Sequence, residues 1–399
     1  MNQEILREAA AHFGTLVEEQ LARLERMKAS DPPLDFATIR PIVIGVCFGD
    51  GIGPIISRQT LRVLDSLLRA ELAGRTVEVR TIEGLTLENR VRHLKAIPDD
   101  VLAELRACHV ILKAPTTTPE RGGPVPNIES ANVAMRRELD LFANVRPVKV
   151  PREGIDWVIF RENTEGAYLL GSRGLQVTPD LAFDFTAVTR PGCERIIRMA
   201  FDFARRNGIS RVTVVTKANV IKTTDGLFLE VAGQVARDYA GISWDAWYID
   251  IMTAKLIDPK RRTQFRVMVM PNLYGDILSD EAAELQGGVG TAGSANIGSR
   301  HAMFEAIHGS APRMIDEGRG DYADPASLMR ASAMMLRHVG LAEPAGRLDR
   351  ALDVCELLER AVEITGRPGG ATAAAFTDYV LETLADPSLA ARHSRLLGG

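Results

Sequence analysis

Apolar residues recur at helical spacing near the start of the chain. Leu6, Ala9, Phe13, Leu16, Leu21, Leu24 and Met27 fall near one face of residues 4–29, with Glu18, Glu19, Arg23 and Arg26 elsewhere, and the spacing predicts an amphipathic helix. The stretch SDPPLD breaks it, leaving an arm that packs on the body or on a partner. From Ile42 the period changes. Short β-type runs alternate with helical ones: IVIGVCF, SRQTLRVLDSLLRAEL, TVEVRTIE, DDVLAELRAC and HVILKAP, then DWVIFREN, CERIIRMAFDFARRN, RVTVVTK, DGLFLEVAGQVARDYA and RVMVMPN. This rhythm predicts an α/β fold. The last third turns helical, through ASLMRASAMMLRHVG and LDRALDVCELLERAVEI, a glycine-rich GRPGGATAAAF turn and a final helix.

Composition narrows the class. At 399 residues and 46% hydrophobic, the chain is long enough for two domains or one large discontinuous unit. A net charge of −4 gives no field to gather nucleic acid or an anionic membrane, so a small anionic substrate needs local positive charge. Cys47, Cys108, Cys193 and Cys355 have neither disulfide-framework nor zinc-ligand spacing, which predicts a reduced, cytoplasmic setting. No apolar run reaches bilayer length, and Glu4 and Glu8 predict that the first residues are not a signal or transit peptide.

Four stretches carry candidate chemistry. In NLYGDILSD, Asp276 and Asp280 stand four apart, which places both carboxylates on one helix face. Two convergent oxygens suit Mg or Mn; an acidic helix start favoured by the macrodipole is the other reading. Asp250, in WYIDIM, is a candidate third carboxylate. Arg136, Arg146 and Arg161, with Ser130 and Asn132, offer guanidinium forks, a hydroxyl and an amide to a polycarboxylate, or else make ordinary ion pairs. Lys217 follows a β-type run, where a lysine acts as a proton carrier or stays solvated, and Tyr168 is a general acid or a hydrogen-bonded tyrosine. In FEAIHGSAPRM, small residues let backbone amides approach a ring or a phosphate. The stretch FGDGIGPII, behind the first strand, has GxGxG and not GxGxxG spacing, and predicts a close-packed turn in place of a Rossmann phosphate cradle.

GDGIGP, FANVRP, FRENTEG, KANVIK, NLYGDILSD, SANIG and HGSAP, in their positions along residues 41 to the end, resemble the metal-dependent β-decarboxylating dehydrogenases of isocitrate, homoisocitrate and 3-isopropylmalate. The resemblance implies the isocitrate/isopropylmalate dehydrogenase-like α/β fold, not a Rossmann fold. Residues 1–40 stand before it as a helical extension, and the resemblance implies a discontinuous large cofactor-binding domain over 41–141 and 288–399, and a small domain over 142–287 that carries a homodimer interface. The active site is expected in the cleft between the domains. The implied reaction is oxidative decarboxylation of a 2-hydroxy-3-carboxy acid with NAD or NADP and Mg or Mn.

Carried over by position, Lys217 and Tyr168 are catalytic, and Ser130, Asn132, Arg136, Arg146 and Arg161 bind substrate. Asp250, Asp276 and Asp280 hold the metal, with Lys217 and Asp250 serving the neighbouring subunit's site. Asn219, Glu305, His308, Gly309, Ser310, Ala311, Pro312, Arg313 and Asp324 address the cofactor. Ser130 and Asn132 favour isocitrate, because an isopropylmalate site would leave buried polar groups unpaired; homoisocitrate and 3-isopropylmalate are the alternatives. A non-catalytic regulatory subunit is the reading from another class, and the presence of every catalytic residue type argues against it. Arg313 stands where NAD-using members have aspartate, and it favours NADP by charge unless it pairs with Asp316 or Asp321.

Overall fold

The computed structural model describes residues 2–28, 32–119, 122–123, 125–170, 173–287 and 292–397. The chain divides into two units, Met1–Pro32 with Phe142–Leu285, and Pro33–Leu141 with Gln286–Gly399.

In the first unit five strands run in the order Ala143–Val150, Ile155–Glu162, Val267–Met270, Arg211–Thr216 and Ser243–Tyr248. The first two form an antiparallel hairpin and the remaining neighbours pair parallel. The central runs VMVM and VTVV are apolar at nearly every position because both faces of the sheet are covered. Helix Arg190–Arg206 turns Cys193, Ile196, Ile197, Ala200, Phe201 and Ala204 inward, at the 3.6-residue period, and Thr189 caps it by accepting the Gly192 N–H. Trp157, Ile159, Met268 and Leu278 belong to the core of this unit.

The amino-terminal helix, Asn2–Lys28, belongs to this unit, yet its expected apolar face is only partly the buried one. Leu16 is buried, whereas Leu6, Phe13 and Leu21 are 66%, 50% and 58% exposed. Polar contacts set the rotation of the helix. Arg23 pairs with Glu165, the His12 ring meets the Arg173 carbonyl, and Glu19 pairs with Arg173.

The second unit orders its strands Val77–Ile82, Ile42–Cys47, Val110–Lys113, Ala302–Ala306 and Gly293–Ile297. All neighbours are parallel except the last pair, an antiparallel hairpin. The turn GDGIGP joins strand Ile42–Cys47 to helix Gly53–Leu67. Gly49 and Gly51 have φ of +64° and +58°, and a Cβ on them would meet the Pro115 and Ser310 carbonyl oxygens at 2.1 and 2.0 Å. The glycines serve close packing of backbone on backbone. Asp50 sits between them and accepts the N–H groups of Leu87 and Thr117, each at 2.8 Å.

Two helical expectations shorten. SRQTLRVLDSLLRAEL is interrupted at Leu68, and the helix through Ala342–Leu352 ends in one wide turn, Asp353–Leu358, so that AVEI is not helical.

Candidate functional site

Strand pairing builds the cationic part of the first unit. Arg161 lies opposite Asn144, and Arg146 lies opposite Ile159, so the alternation of an antiparallel pair puts both arginines on one face of the hairpin. Helix Asn272–Leu285 brings Asn272, Asp276, Ser279 and Asp280 to them. Arg161 is 1% exposed; its Nε and Nη2 donate to Asn272 Oδ1 at 3.0 and 2.7 Å, and its Nη1 donates to Asp276. The Tyr168 hydroxyl donates to the other oxygen of Asp276 at 2.6 Å, with the guanidinium of Arg161 5.5 Å from its ring centre. Arg146 Nη1 donates to Ser279 Oγ and to Asp280 Oδ1, both at 2.6 Å. The Arg146 Nε is shielded and has no hydrogen-bond partner among the described residues. The Asp280 side chain is 61% exposed and that of Asp276 is 36%.

A separate pair lies just beyond the ends of two parallel strands of the same unit, with Asp250 in the first turn of helix Ile249–Leu256. Lys217, at the end of strand Arg211–Thr216, donates to Asp250 Oδ1 at 2.6 Å, which holds the Asp250 carboxyl below its usual range. Asp225 fixes the lysine's backbone by accepting its N–H at 2.6 Å. Burial raises the Asp225 carboxyl above the ordinary carboxylate range, and burial and that carboxylate, to which it hydrogen-bonds, push the Tyr274 hydroxyl up as well. Asn219 is exposed in the turn that follows the lysine.

In the second unit, Ser130 precedes helix Ala131–Glu138, and Asn132 and Arg136 follow on it one turn apart. Asn132 Oδ1 accepts the Thr116 hydroxyl at 3.5 Å. Arg136 Nη2 lies 3.6 Å from Glu305, and its Nε is shielded without a partner among the described residues. Glu305 also accepts Asn296 Nδ2 at 2.8 Å and faces Lys113 Nζ at 3.6 Å. Lys113 is 0% exposed, and burial lowers its pKa below that of a solvated lysine.

The loop after strand Ala302–Ala306 carries His308, Gly309 and Ser310. The Ser310 carbonyl accepts the Ile52 N–H at 3.0 Å and its hydroxyl meets that of Thr117 at 2.7 Å, so the glycine turn and this loop fix one another. Ala311, at φ 45°, caps the short helix Pro312–Asp316, a left-handed conformation unusual without glycine. His308 Nδ1 meets the Gly309 carbonyl, whereas Nε2 is shielded and has no partner among the described residues. Arg313, its side chain 87% exposed, pairs with Glu317 at 2.6 Å and not with Asp316 or Asp321, and Arg319 shares that carboxylate. Asp324 accepts the Ala326 N–H at 2.9 Å, and burial raises its carboxyl above the ordinary range.

The structure thus brings together Arg146, Arg161, Tyr168, Asp276 and Asp280 in one cluster, and Arg136 and Glu305 in another. It keeps Asp250 out of the first; among the described residues no three His, Cys, Asp or Glu side chains converge as a metal site. Asp276 and Asp280 nonetheless fit a hard cation, being exposed oxygen donors one helical turn apart. The shielded, unpartnered nitrogens of Arg136, Arg146 and His308 fit an anionic substrate and a cofactor with acceptor groups. Sequence reading missed two buried cations. Lys113 carries a weak signal, a lysine ending the apolar run VILK. Arg90, 0% exposed, ties the Ala96, Thr117 and Glu129 carbonyls together with three donors at 2.8–2.9 Å, a long-range role without a local signature.

The family model for isocitrate/isopropylmalate dehydrogenase matches residues 43–373. The isocitrate dehydrogenase [NADP] of Rickettsia prowazekii (strain Madrid E) is 38% identical over 322 residues, which are 79% of this chain and 63% of that protein. The isocitrate/homoisocitrate dehydrogenase of Thermus thermophilus is 38% identical over 341 residues, 84% of this chain and 96% of that one. A crystal structure of isocitrate dehydrogenase from Methylococcus capsulatus aligns with a TM-score of 0.74 at 36% identity, covering 86% of this chain and 99% of its own. The chain belongs to the isocitrate/isopropylmalate dehydrogenase family and has its α/β fold.

Proposed function

We propose that the chain catalyses oxidative decarboxylation of a 2-hydroxy-3-carboxy acid, with D-isocitrate as the preferred substrate and NADP or NAD as hydride acceptor. The observation that carries this is the paired arrangement of Arg161 with Asp276 and Arg146 with Asp280, and Tyr168 on the same Asp276. Substrate carboxylates are met by Arg136, Arg146 and Arg161, whose forks bind them bidentately. Ser130 and Asn132 address the distal carboxylate that distinguishes isocitrate from a substrate with an apolar tail.

Asp276 and Asp280, with Asp250, would hold Mg or Mn, which when bound supplies charge to the substrate's hydroxyl oxygen and adjacent carboxylate. The hydride on C2 passes to the nicotinamide and the hydroxyl proton leaves to a protein base. The bond from C3 to its carboxylate then breaks, carbon dioxide departs, and the electron pair stays on the substrate as an enolate. Tyr168, a residue 42% exposed whose hydroxyl is hydrogen-bonded to Asp276, would return a proton to that carbon.

Lys217 pairs with Asp250 and not with the Asp276 cluster, which supports their use in the neighbouring copy of a homodimer. Tyr248, Ile251 and Ile277 leave apolar surface on the same unit, as such an interface needs. His308 to Arg313 and Asp324 make the cofactor region, and Arg313 favours the extra phosphate of NADP to the extent that it can leave Glu317. Steady-state assays on D-isocitrate, homoisocitrate and 3-isopropylmalate, with each cofactor and with or without Mg or Mn, test the reading. Metal-dependent turnover highest on D-isocitrate is expected; faster turnover of 3-isopropylmalate overturns the substrate, and no nicotinamide reduction on any of the three overturns the activity.

A further inference from the structure

The family model begins at residue 43, so the helix Asn2–Lys28 is outside the matched region. It nevertheless reaches the candidate site, through Arg23. Arg23 Nη1 donates to Glu165 Oε1 at 2.8 Å, with side chains only 17% and 1% exposed. Glu165 also accepts the Thr189 hydroxyl at 2.6 Å and the Thr189 N–H at 2.8 Å. Its carboxylate lies at the amino end of helix Arg190–Arg206, where the macrodipole favours an anion. Gly192, in the first turn, makes room for it, since a Cβ there would meet the carboxylate atoms at 2.3–2.4 Å.

From Glu165 the contacts lead inward. Its backbone carbonyl accepts Asn272 Nδ2 at 2.9 Å, and Asn272 Oδ1 holds two nitrogens of Arg161, at 3.0 and 2.7 Å. Asn272 is 1% exposed and has its amide oriented by that single carbonyl on one side and by Arg161 on the other. Glu162, 3% exposed, adds a second acid beside the first and accepts the Thr164 and Glu165 N–H groups at 2.9 and 2.7 Å. Two buried carboxylates this close need a cation, and Arg23 pairs directly with one of them.

We propose that Arg23 is a positioning residue for substrate binding: by fixing Glu165 it fixes Asn272, and through Asn272 the orientation of the Arg161 guanidinium. The amino-terminal helix is then a strut that sets the affinity for the anionic substrate. This rests on the reading that Arg161 binds a substrate carboxylate.

The test is steady-state kinetics of the full chain with Arg23→Gln, Arg23→Lys, the double variant Arg23→Gln/Glu165→Gln, and Glu19→Gln as a control that breaks the exposed pair with Arg173 on the same helix. Arg23→Gln is expected to raise KM for D-isocitrate about tenfold, the size typical of losing an orienting partner behind a binding residue, with kcat changed by less than about twofold. KM for the nicotinamide cofactor should not move. Arg23→Lys restores most of the loss because it returns the cation, the double variant recovers part of it because the Glu165 charge is removed together with its partner, and Glu19→Gln matches the native protein.

An unchanged KM in Arg23→Gln overturns the proposal, as does a parallel fall in kcat and in both affinities that follows melting temperature. If Arg23→Gln does not fold, the double variant against Glu19→Gln carries the same split: a KM rise confined to the double variant and to D-isocitrate supports it, and no difference overturns it. A native protein inactive on every 2-hydroxy acid would instead remove the functional reading on which the proposal stands.

Discussion

Two charged sites, the arginine–aspartate cluster of the first unit and the Lys113–Glu305 pair of the second, hold their charges in opposite ways. In the first, buried or half-buried arginines face aspartates whose side chains remain 36% and 61% exposed, so one end of each pair stays in contact with solvent. In the second, Lys113 and Glu305 are both shielded, at 0% and 8%. An exposed carboxylate costs little to desolvate and can exchange its protein partner for a ligand, whereas a shielded pair is costly to break from either side. Variants of the exposed aspartates should therefore lose activity before stability, and variants of the Lys113–Glu305 pair stability together with activity.

The largest effect is expected from Asp280→Asn, which removes one of the two carboxylates proposed to hold the metal while Arg146 keeps Ser279. Its kcat/KM should fall about a thousandfold or more, with a nearly native melting curve. Lys113→Met should show the reverse order, losing about 3 kcal/mol of unfolding free energy in urea titration, because Glu305 loses one of its two neighbouring cations in a buried place. A native-like stability for that variant would dissolve the contrast between the two sites. Tyr168→Phe keeps the ring and removes only the hydroxyl that meets Asp276, and a drop in kcat of about a hundredfold is expected with KM little changed. Arg313→Asp should move the ratio of kcat/KM for NADP over NAD about tenfold toward NAD; no change would leave Arg313 as an exposed partner of Glu317.

The smallest effect is a pH dependence within the first unit. Burial, and secondarily the charge of Glu165, push Glu162 up to about 7 from an ordinary 4.5. The folded chain then binds this proton more tightly than the unfolded one, so its contribution to stability is full below about pH 4.5 and is lost as pH rises to about 7. Glu162→Gln should flatten that part of the melting-temperature profile between about pH 5 and 7; a profile parallel to the native one would place the titrating group elsewhere.

The first cluster was legible in the sequence because local spacing encodes it. Asp276 and Asp280 are one helical turn apart, and Arg146 and Arg161 stand in the stretches FANVRP and FRENTEG, although the hairpin that puts them on one face is set by strand pairing. Central strands such as VMVM were legible by their unbroken apolar run. The Ala143–Val150 and Gly293–Ile297 strands were not, since ANVRPVKV carries a proline and two cations and GSANI small polar residues, and both are defined by their partners. Arg90 and Lys113 were missed for the same reason: what makes them important is burial beside residues distant in sequence. The amino-terminal helix was legible as a helix, but not its rotation, because Arg23 and His12 win the inward face from Leu6 and Phe13 through contacts more than 100 residues away. The GxGxG turn is legible as a packed turn from its spacing and the family resemblance, and the close approach of Gly49 and Gly51 to Pro115 and Ser310 gives the reason for its glycines.

The central claim is that the Arg146, Arg161, Asp276, Asp280 and Tyr168 cluster carries out a metal-dependent oxidation coupled to decarboxylation. Its most direct test is the simultaneous measurement of carbon dioxide released and nicotinamide reduced by the purified protein on D-isocitrate. The account predicts equal amounts of the two, present with Mg or Mn, absent after chelation and lost in Asp280→Asn. Nicotinamide reduction without carbon dioxide, or equal activity in the chelated protein, would contradict it.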